Sequence, residues 1–293
     1  MTGKLLQWYR RHGRDLPWRK TKDPYRILVS EIMLQQTQVQ RGLLYYEKWL
    51  KEFPDWATLA KASNAQVISA WAGLGYNRRA LVLRDIARQV IEHGEPKTRE
   101  EWLHFKGIGP YTSAALAVFT IGEKVLPIDT NIRRVLGRYF LGRLFPVLDD
   151  DLKINDIASK TLFKSTKYHD VPQALFDLAA THCTKTPDCG SCPLRTECKS
   201  STAFLKGGVE VPKRSIRKAK EKVQAGKKYP DRIYRGRILK AVRENGKLQS
   251  SLVGCLVDPN YTKEDKAWMN AMIQRLIKDG LLAKTKHHLH LPH

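Results

Sequence analysis

The sequence predicts a mainly helical protein with a small winged-helix-like module at its C-terminal end, and three observations carry that expectation. Apolar residues recur at helical spacing from Leu5 to about Cys198, alternating strand patterns are missing there, and Gly/Pro turn signals separate the runs. A length of 293 residues suits two domains, and a 42% hydrophobic fraction supports packed cores over disorder. No stretch approaches the ~18 uninterrupted apolar residues of a membrane span, and residues 1–14 lack a signal-peptide core. A cytoplasmic protein with no membrane partner is expected. Its 52 Lys+Arg against 29 Asp+Glu give a net charge of +23, which points to a polyanionic partner because bound lysines and arginines release the counterions condensed on phosphates.

Taken in order, Ile27, Leu28, Ile32 and Leu34 line a first helical run around Glu31. Leu83, Ile86, Ala87 and Val90 follow the i, i+3, i+4, i+7 rule, and Leu116, Val118 and Phe119 mark another run. Asp23-Pro24, Gly73-Leu74-Gly75, Gly107-Ile108-Gly109-Pro110 and Asp188-Cys189-Gly190 punctuate them. Residues 1–204 therefore read as one all-helical domain. Residues 205–229 read as a basic linker, with nine Lys or Arg against two Glu between 206 and 228. In residues 230–293, Ile233, Ile238, Leu239 and Val242 mark a helix ended by Asn245-Gly246, and residues 250–257 mark a second. A third starts at Thr262 and closes at Gly280. Leu281, Leu282, Leu289 and Leu291 around Lys284-Thr285-Lys286 suggest a terminal hairpin, which completes a winged-helix pattern. DNA contact, protein docking and structural support are all open uses of that shape.

Four places carry chemistry. Glu31 sits in the apolar segment Ile27-Leu28-Val29-Ser30-Glu31-Ile32-Met33-Leu34, where desolvation raises a carboxyl toward neutrality; it is either a general acid or a structural partner of an arginine. The adjoining Gln35-Gln36-Thr37-Gln38 offers flat amides able to enter a base stack or pair with base edges. Gly107-Ile108-Gly109-Pro110-Tyr111-Thr112 has the glycine spacing of a helix-hairpin-helix turn, whose backbone N–H groups and following helix grip phosphates through Gly107, Gly109 and Thr112. Asp129, ahead of Thr130-Asn131-Ile132, is either a helix cap or a carboxylate facing a glycosyl cation. Cys183, Cys189, Cys192 and Cys198, spaced C-x5-C-x2-C-x5-C, suit zinc or a [4Fe–4S] cluster. Cys255 is expected in the core. His287, His288, His290 and His293 are expected to be solvated.

Together these elements resemble the helix-hairpin-helix DNA glycosylase superfamily, and most closely its MutY-type adenine DNA glycosylases, over roughly residues 5–200. The segments that carry the resemblance are Leu16-Pro17-Trp18-Arg19, residues 30–39 with their Glu-x-Met-Leu-Gln-Gln-Thr-Gln run, Gly73-Leu74-Gly75-Tyr76, the 107–112 hairpin, Asp129-Thr130-Asn131 and the four cysteines. The resemblance implies a monofunctional glycosylase that flips adenine out of duplex DNA opposite guanine or 8-oxoguanine. Within it, Glu31 matches the acid that protonates the departing base, at N7. Asp129 with Asn131 matches the carboxylate site that stabilises the sugar cation, and Tyr111 stands where bifunctional relatives carry a Schiff-base lysine. Trp18, Arg19, Leu34 and Asp177 match the adenine pocket, Gln36 and Tyr76 match residues wedged into the duplex, and the four cysteines match ligands of a structural [4Fe–4S] cluster. The implied partner is mismatched or oxidised double-stranded DNA, bound by a monomer. Two features depart from the family: the first cysteine gap is five residues rather than the usual six, and the module after the linker replaces the Nudix-like domain that reads 8-oxoguanine. A thymine or uracil mismatch glycosylase and a non-catalytic DNA-binding protein on a glycosylase core are the alternatives.

Overall fold

The helical spacing is realised in a computed structural model that describes residues 1–212 and 223–293. The helices are α1 (Thr2–His12), α2 (Pro24–Leu34), α3 (Val39–Glu52), α4 (Trp56–Lys61), α5 (Asn64–Ala70), α6 (Arg78–His93), α7 (Arg99–His104) and α8 (Pro110–Leu116). They continue as α9 (Thr130–Leu141), α10 (Asp151–Thr161), α11 (Asp170–Thr181) and α12 (Ser201–Lys206). The C-terminal part contributes α13 (Asp231–Asn245), β1 (Lys247–Gln249), α14 (Val253–Val257), α15 (Lys266–Lys278), β2 (Ala283–Thr285) and β3 (His288–His290). Among the described residues no helix is long and apolar enough to cross a membrane.

Two compact units result, Met1–Glu31 with Pro96–Lys213 and Ile32–Glu95 with Arg214–His293. In the first, α11 packs against α9 and α1, burying Val171, Ala174, Leu175 and Leu178. There α7 and α8 form the helix-hairpin-helix pair. Thr98 caps α7 by accepting from the Glu101 N–H, and Trp102, Phe105 and Ile108 bury the inner side of the turn. Gly107 turns the chain at φ 106°, a conformation that side chains disfavour.

In the second unit, α4 and α5 pack on α6, whose Ala80, Leu83, Ile86, Ala87 and Val90 are buried, and Trp49 meets Trp71 edge to face at 5.3 Å. The expected boundaries at 204 and 230 do not mark the division, because the C-terminal module shares this unit with α3–α6. Asn64 Nδ2 donates to the Gly280 carbonyl at 2.9 Å, the Ala65 N–H donates to the Pro292 carbonyl at 2.8 Å, and Arg78 pairs with Asp279 at 3.6 Å. Residues 213–222 of the expected linker lie outside the described residues.

Within the module, α13 packs on α14 and α15, with Tyr234 against Trp268 at 5.0 Å. The hairpin is present as β2 and β3, and β1 joins it in an antiparallel sheet of order β1-β3-β2, with Leu289 opposite both Leu248 and Lys284. No sequence pattern marks β1, since Leu248 is the one residue that its three positions bury. Cys255 is exposed, not in the core: α14 buries Val253, Gly254 and Val257, which turns Cys255 and Leu256 outward. Of the terminal histidines, His287 and His293 are exposed, but β3 half-buries His288 and His290, and His290 Nε2 lies 2.9 Å from Thr285 Oγ1.

Candidate active site

Glu31 stands on α2 beside buried Ile27, Leu28 and Ile32. Its Oε2 accepts a hydrogen bond from the Tyr111 hydroxyl at 2.8 Å. Tyr111 is the second residue of α8, directly after the glycine turn, so the hairpin geometry sets where that hydroxyl lies. Although Glu31 as a residue is half-buried, protein surrounds the carboxyl closely enough that desolvation pushes its pKa up from 4.5 to about 7. The Tyr111 bond opposes that rise and the charge of Asp129 adds to it. Burial, then the Glu31 charge, raises Tyr111 well above 10, so its hydroxyl stays neutral and donates.

Asp129 occupies the helix-cap position that its place in the sequence offers. As N-cap of α9, its Oδ1 accepts from the N–H groups of Asn131 and Ile132, each at 2.8 Å. Its Oδ2 accepts from Asn131 Nδ2 at 2.6 Å. The amide is held in turn by Arg134, whose Nη2 donates to Asn131 Oδ1 at 3.1 Å while its Nε donates to the Cys183 carbonyl at 2.6 Å. One guanidinium thus joins the Asp129–Asn131 pair to the cysteine loop.

Trp18 is buried in the single turn Pro17–Arg19. Arg19 forks both oxygens of Asp177 at 2.8 Å, and Arg14 takes the same carboxylate through Nε at 2.6 Å and its backbone N–H at 2.8 Å. Burial would raise Asp177, but these hydrogen bonds and charges outweigh it and hold the carboxyl below its usual value. The Nε of Arg19 is buried without a hydrogen-bond partner, a donor that a ligand acceptor could satisfy.

In the second unit, Leu34 ends α2 half-buried, and Gln36 and Tyr76 are exposed. Gln36 at φ 58° and Tyr76 at φ 49° take left-handed backbone that non-glycine residues rarely adopt. Arg79, which sequence reasoning missed, holds both. Its Nη1 donates to the carbonyls of Ile32, Met33 and Gln35 at 2.9, 3.1 and 2.5 Å, and its Nη2 donates to that of Gly75 at 3.0 Å. The same guanidinium lies 5.1 Å from the Trp71 ring and 5.5 Å from that of Tyr76. The only sequence signal was an arginine three residues after an exposed tyrosine, which is indistinguishable from a solvated one. Of the proposed phosphate contacts, Gly107 and Gly109 are exposed, whereas Thr112 is buried, so only its backbone N–H could reach a phosphate.

The four cysteines are half-buried around one small cavity also lined by Arg138 and Phe204. Fully buried Arg138 is a second residue missed in the sequence. It donates to the Thr184 carbonyl at 2.6 Å, lies 3.5 Å from Cys183 Sγ and stacks over Phe204 at 4.6 Å. Burial first, then crowding of neighbouring thiolates, pushes Cys192 up to about 11 and raises Cys189 and Cys198. Positive charge at their centre removes that penalty. Among the described residues no three His, Cys, Asp or Glu side chains cluster tightly enough for a single metal ion.

Comparison with known proteins places this arrangement. Residues 29–146 match the HhH-GPD superfamily of base excision DNA repair proteins. The chain is 40% identical over 198 residues to an adenine DNA glycosylase of Mycobacterium tuberculosis (strain CDC 1551 / Oshkosh), a match covering 65% of this chain and 64% of that protein. It is 34% identical over 288 residues to the adenine DNA glycosylase of Mycolicibacterium smegmatis, covering 96% of this chain and 92% of the relative. Among solved structures, a thermostable thymine-DNA glycosylase is similar at TM-score 0.64 and 28% identity, over 69% of this chain and 95% of that one.

Proposed function

We propose that this chain, which belongs to the adenine DNA glycosylases of the HhH-GPD superfamily, hydrolyses the N-glycosidic bond of adenine mispaired with guanine or 8-oxoguanine in duplex DNA. The observation that carries this reading is Glu31: a carboxyl whose pKa is raised to about 7, held by a neutral tyrosine in the same unit as a second carboxylate, Asp129. At pH 7 such a group is protonated in about half of the molecules, as a general acid at physiological pH must be.

In this mechanism the target adenine leaves the stack at a cost of roughly a few kcal/mol. The strained, exposed Gln36 and Tyr76 offset that cost by entering the duplex. Trp18 and Arg19 receive the base. As the N9–C1′ bond breaks, its electron pair goes to the purine and Glu31 delivers a proton to N7. Positive charge builds on the sugar, where Asp129, oriented by Asn131, stabilises it. Water then adds to C1′, and its proton passes to the Glu31 carboxylate that the first transfer left. Tyr111 carries no amine, so no Schiff base forms and the strand is left uncut. Gly107, Gly109 and the Thr112 N–H hold the phosphate backbone.

Cys183, Cys189, Cys192 and Cys198 would hold a [4Fe–4S] cluster, with Arg138 beside the Cys183 thiolate. When bound, such a group contributes folding energy by cross-linking the loop. Purified protein should be brown, with iron and labile sulfide; a colourless zinc protein would reject the cluster.

Duplexes with A opposite 8-oxoguanine, A opposite G, T opposite G and U opposite G, incubated and then treated with alkali, test the substrate. Scission at the adenine strands alone is expected. Similarity to the thymine-DNA glycosylase supports thymine removal as a second reading, and scission only at T or U would establish it over the first. Glu31→Gln should abolish base release and spare duplex binding.

A further inference from the structure

We propose that the exposed face of α15 docks in the major groove of duplex DNA, giving the chain a second DNA-binding surface, on its C-terminal module. The helix buries Trp268, Met269, Met272, Ile273 and Leu276. The opposite side leaves Lys266, Ala267, Asn270, Ala271, Gln274 and Lys278 exposed, positions that share one face at helical spacing. Its chemistry is graded along the axis. A lysine stands toward each end, two amides four residues apart lie between them, and the two alanines keep the middle low enough for close approach. Amide side chains of this kind pair bidentately with adenine N6 and N7, and lysines at the flanks meet phosphates.

Charge balance within the module favours DNA over a protein occupant. Most of its acids are already neutralised from inside. Asp231 binds Arg275 and Trp268, Asp258 and Asp265 share Lys227, and Asp279 binds Arg235. Glu244 faces Lys240 one turn away. By contrast, among the described residues Lys266 and Lys278 have no ion-pair partner, nor do Lys284 and Lys286 in the hairpin that follows. The positive charge is therefore available to an external polyanion.

The anchoring of the module is the second argument. Asp279, just past the end of α15, is also paired with Arg78 at 3.6 Å, and Asn64 binds Gly280 at 2.9 Å. Arg78 lies two residues from exposed Tyr76. The C-terminal end of α15 is thereby anchored, within one unit, to the start of α6, directly after the loop assigned to duplex wedging. This inference extends the reading of the chain as a DNA-acting enzyme, but its test does not use catalysis.

The test is fluorescence anisotropy of the full-length protein on an undamaged duplex across a salt series. Lys266→Ala with Lys278→Ala should lower the slope of log affinity against log salt by about 1 to 2, at ~0.9 per lost phosphate contact, and weaken binding about tenfold or more at low salt. An unchanged slope and affinity would overturn the proposal. Asn270→Ala with Gln274→Ala leaves the charge intact, so it should keep the parent slope yet weaken binding several-fold; equal affinity would put the helix outside the groove and overturn the major-groove assignment. Base release under single-turnover, saturating conditions should match the parent for both variants. That readout belongs to Glu31 and Asp129, and its absence in the parent would count against the proposed reaction and leave the binding result standing.

Discussion

Holding a proton on Glu31 has a cost that a stability measurement can read. The folded protein raises this carboxyl from 4.5 to about 7, chiefly by desolvation. A raised folded pKa means that the native state binds the proton more tightly than the unfolded chain does. The associated stability is complete below the unfolded value near 4.5 and is lost as pH rises through about 7. Each unit of difference is about 1.4 kcal/mol, so the full loss is roughly 3 kcal/mol as an upper limit. Glu31→Gln keeps the shape and a hydrogen-bonding partner for Tyr111 but never ionises. The variant should match the parent in stability near pH 4.5, pull ahead between pH 5 and 7, and hold a constant advantage above. Thermal melts of both proteins across pH 4.5–8.5 should show the difference opening to about 6–12 °C at most, at roughly 2–4 °C per kcal/mol for large domains. A difference that stays flat with pH, or a variant less stable at pH 8 than at pH 5 relative to the parent, would refute the claim that Glu31 is held against its ionisation.

The neighbours of Glu31 give sharper variants. Tyr111→Phe removes a hydrogen bond that favours the carboxylate, so the falling limb of base release against pH should move above 7 by about one unit; rates measured from pH 6 to 9 would show activity extending to higher pH, and an unmoved limb would separate Tyr111 from the proton. Asp129→Asn keeps a good N-cap residue but removes the charge, so melting should change by no more than about 1 kcal/mol while single-turnover base release falls by about a hundredfold or more; equal losses in both would make Asp129 a cap only. Arg79→Ala strips donors from five carbonyls, those of Ile32, Met33, Gln35, Leu74 and Gly75, so it should destabilise the protein by about 2–4 kcal/mol in urea titrations. Arg79→Lys, which cannot bridge both loops, should restore part of that stability and little of the fluorescence change of 2-aminopurine placed beside the mismatch.

Much of this was legible because the chemistry sits in local motifs. The periodicity around Glu31 announced a carboxylate in an apolar helix, and two glycines ahead of Pro110 announced the turn that delivers Tyr111. The Asp-Thr-Asn run announced the cap of α9, which Asp129 supplies. Arginines escaped the reading. Arg79, Arg134 and Arg138 act through backbone carbonyls that lie up to about fifty residues away in the chain, and sequence spacing carries no trace of such partners. The partners of Asp177 were hidden for the same reason: Arg14 and Arg19, which hold both of its oxygens, lie 163 and 158 residues away in the chain. The strand β1 was hidden by its length, and Cys255 by a five-residue helix too short to show which side faces inward.

The hidden arginines brace two different kinds of local arrangement. Arg134 braces Asn131, and with it Asp129, against the carbonyl of the first cysteine of the loop. A donor in a fixed planar fork tolerates little rotation, so the carboxylate is set before any substrate arrives, and preorganised charge is worth most when nothing has to move at the moment of reaction. Arg79 does the opposite task with the same group. By collecting carbonyls from the end of α2 and from the 73–76 loop, it compensates two left-handed backbones that would otherwise relax. Gln36 and Tyr76 are thus kept exposed in a conformation that their own backbones disfavour, and the energy to hold them there is supplied by folding and not by binding DNA.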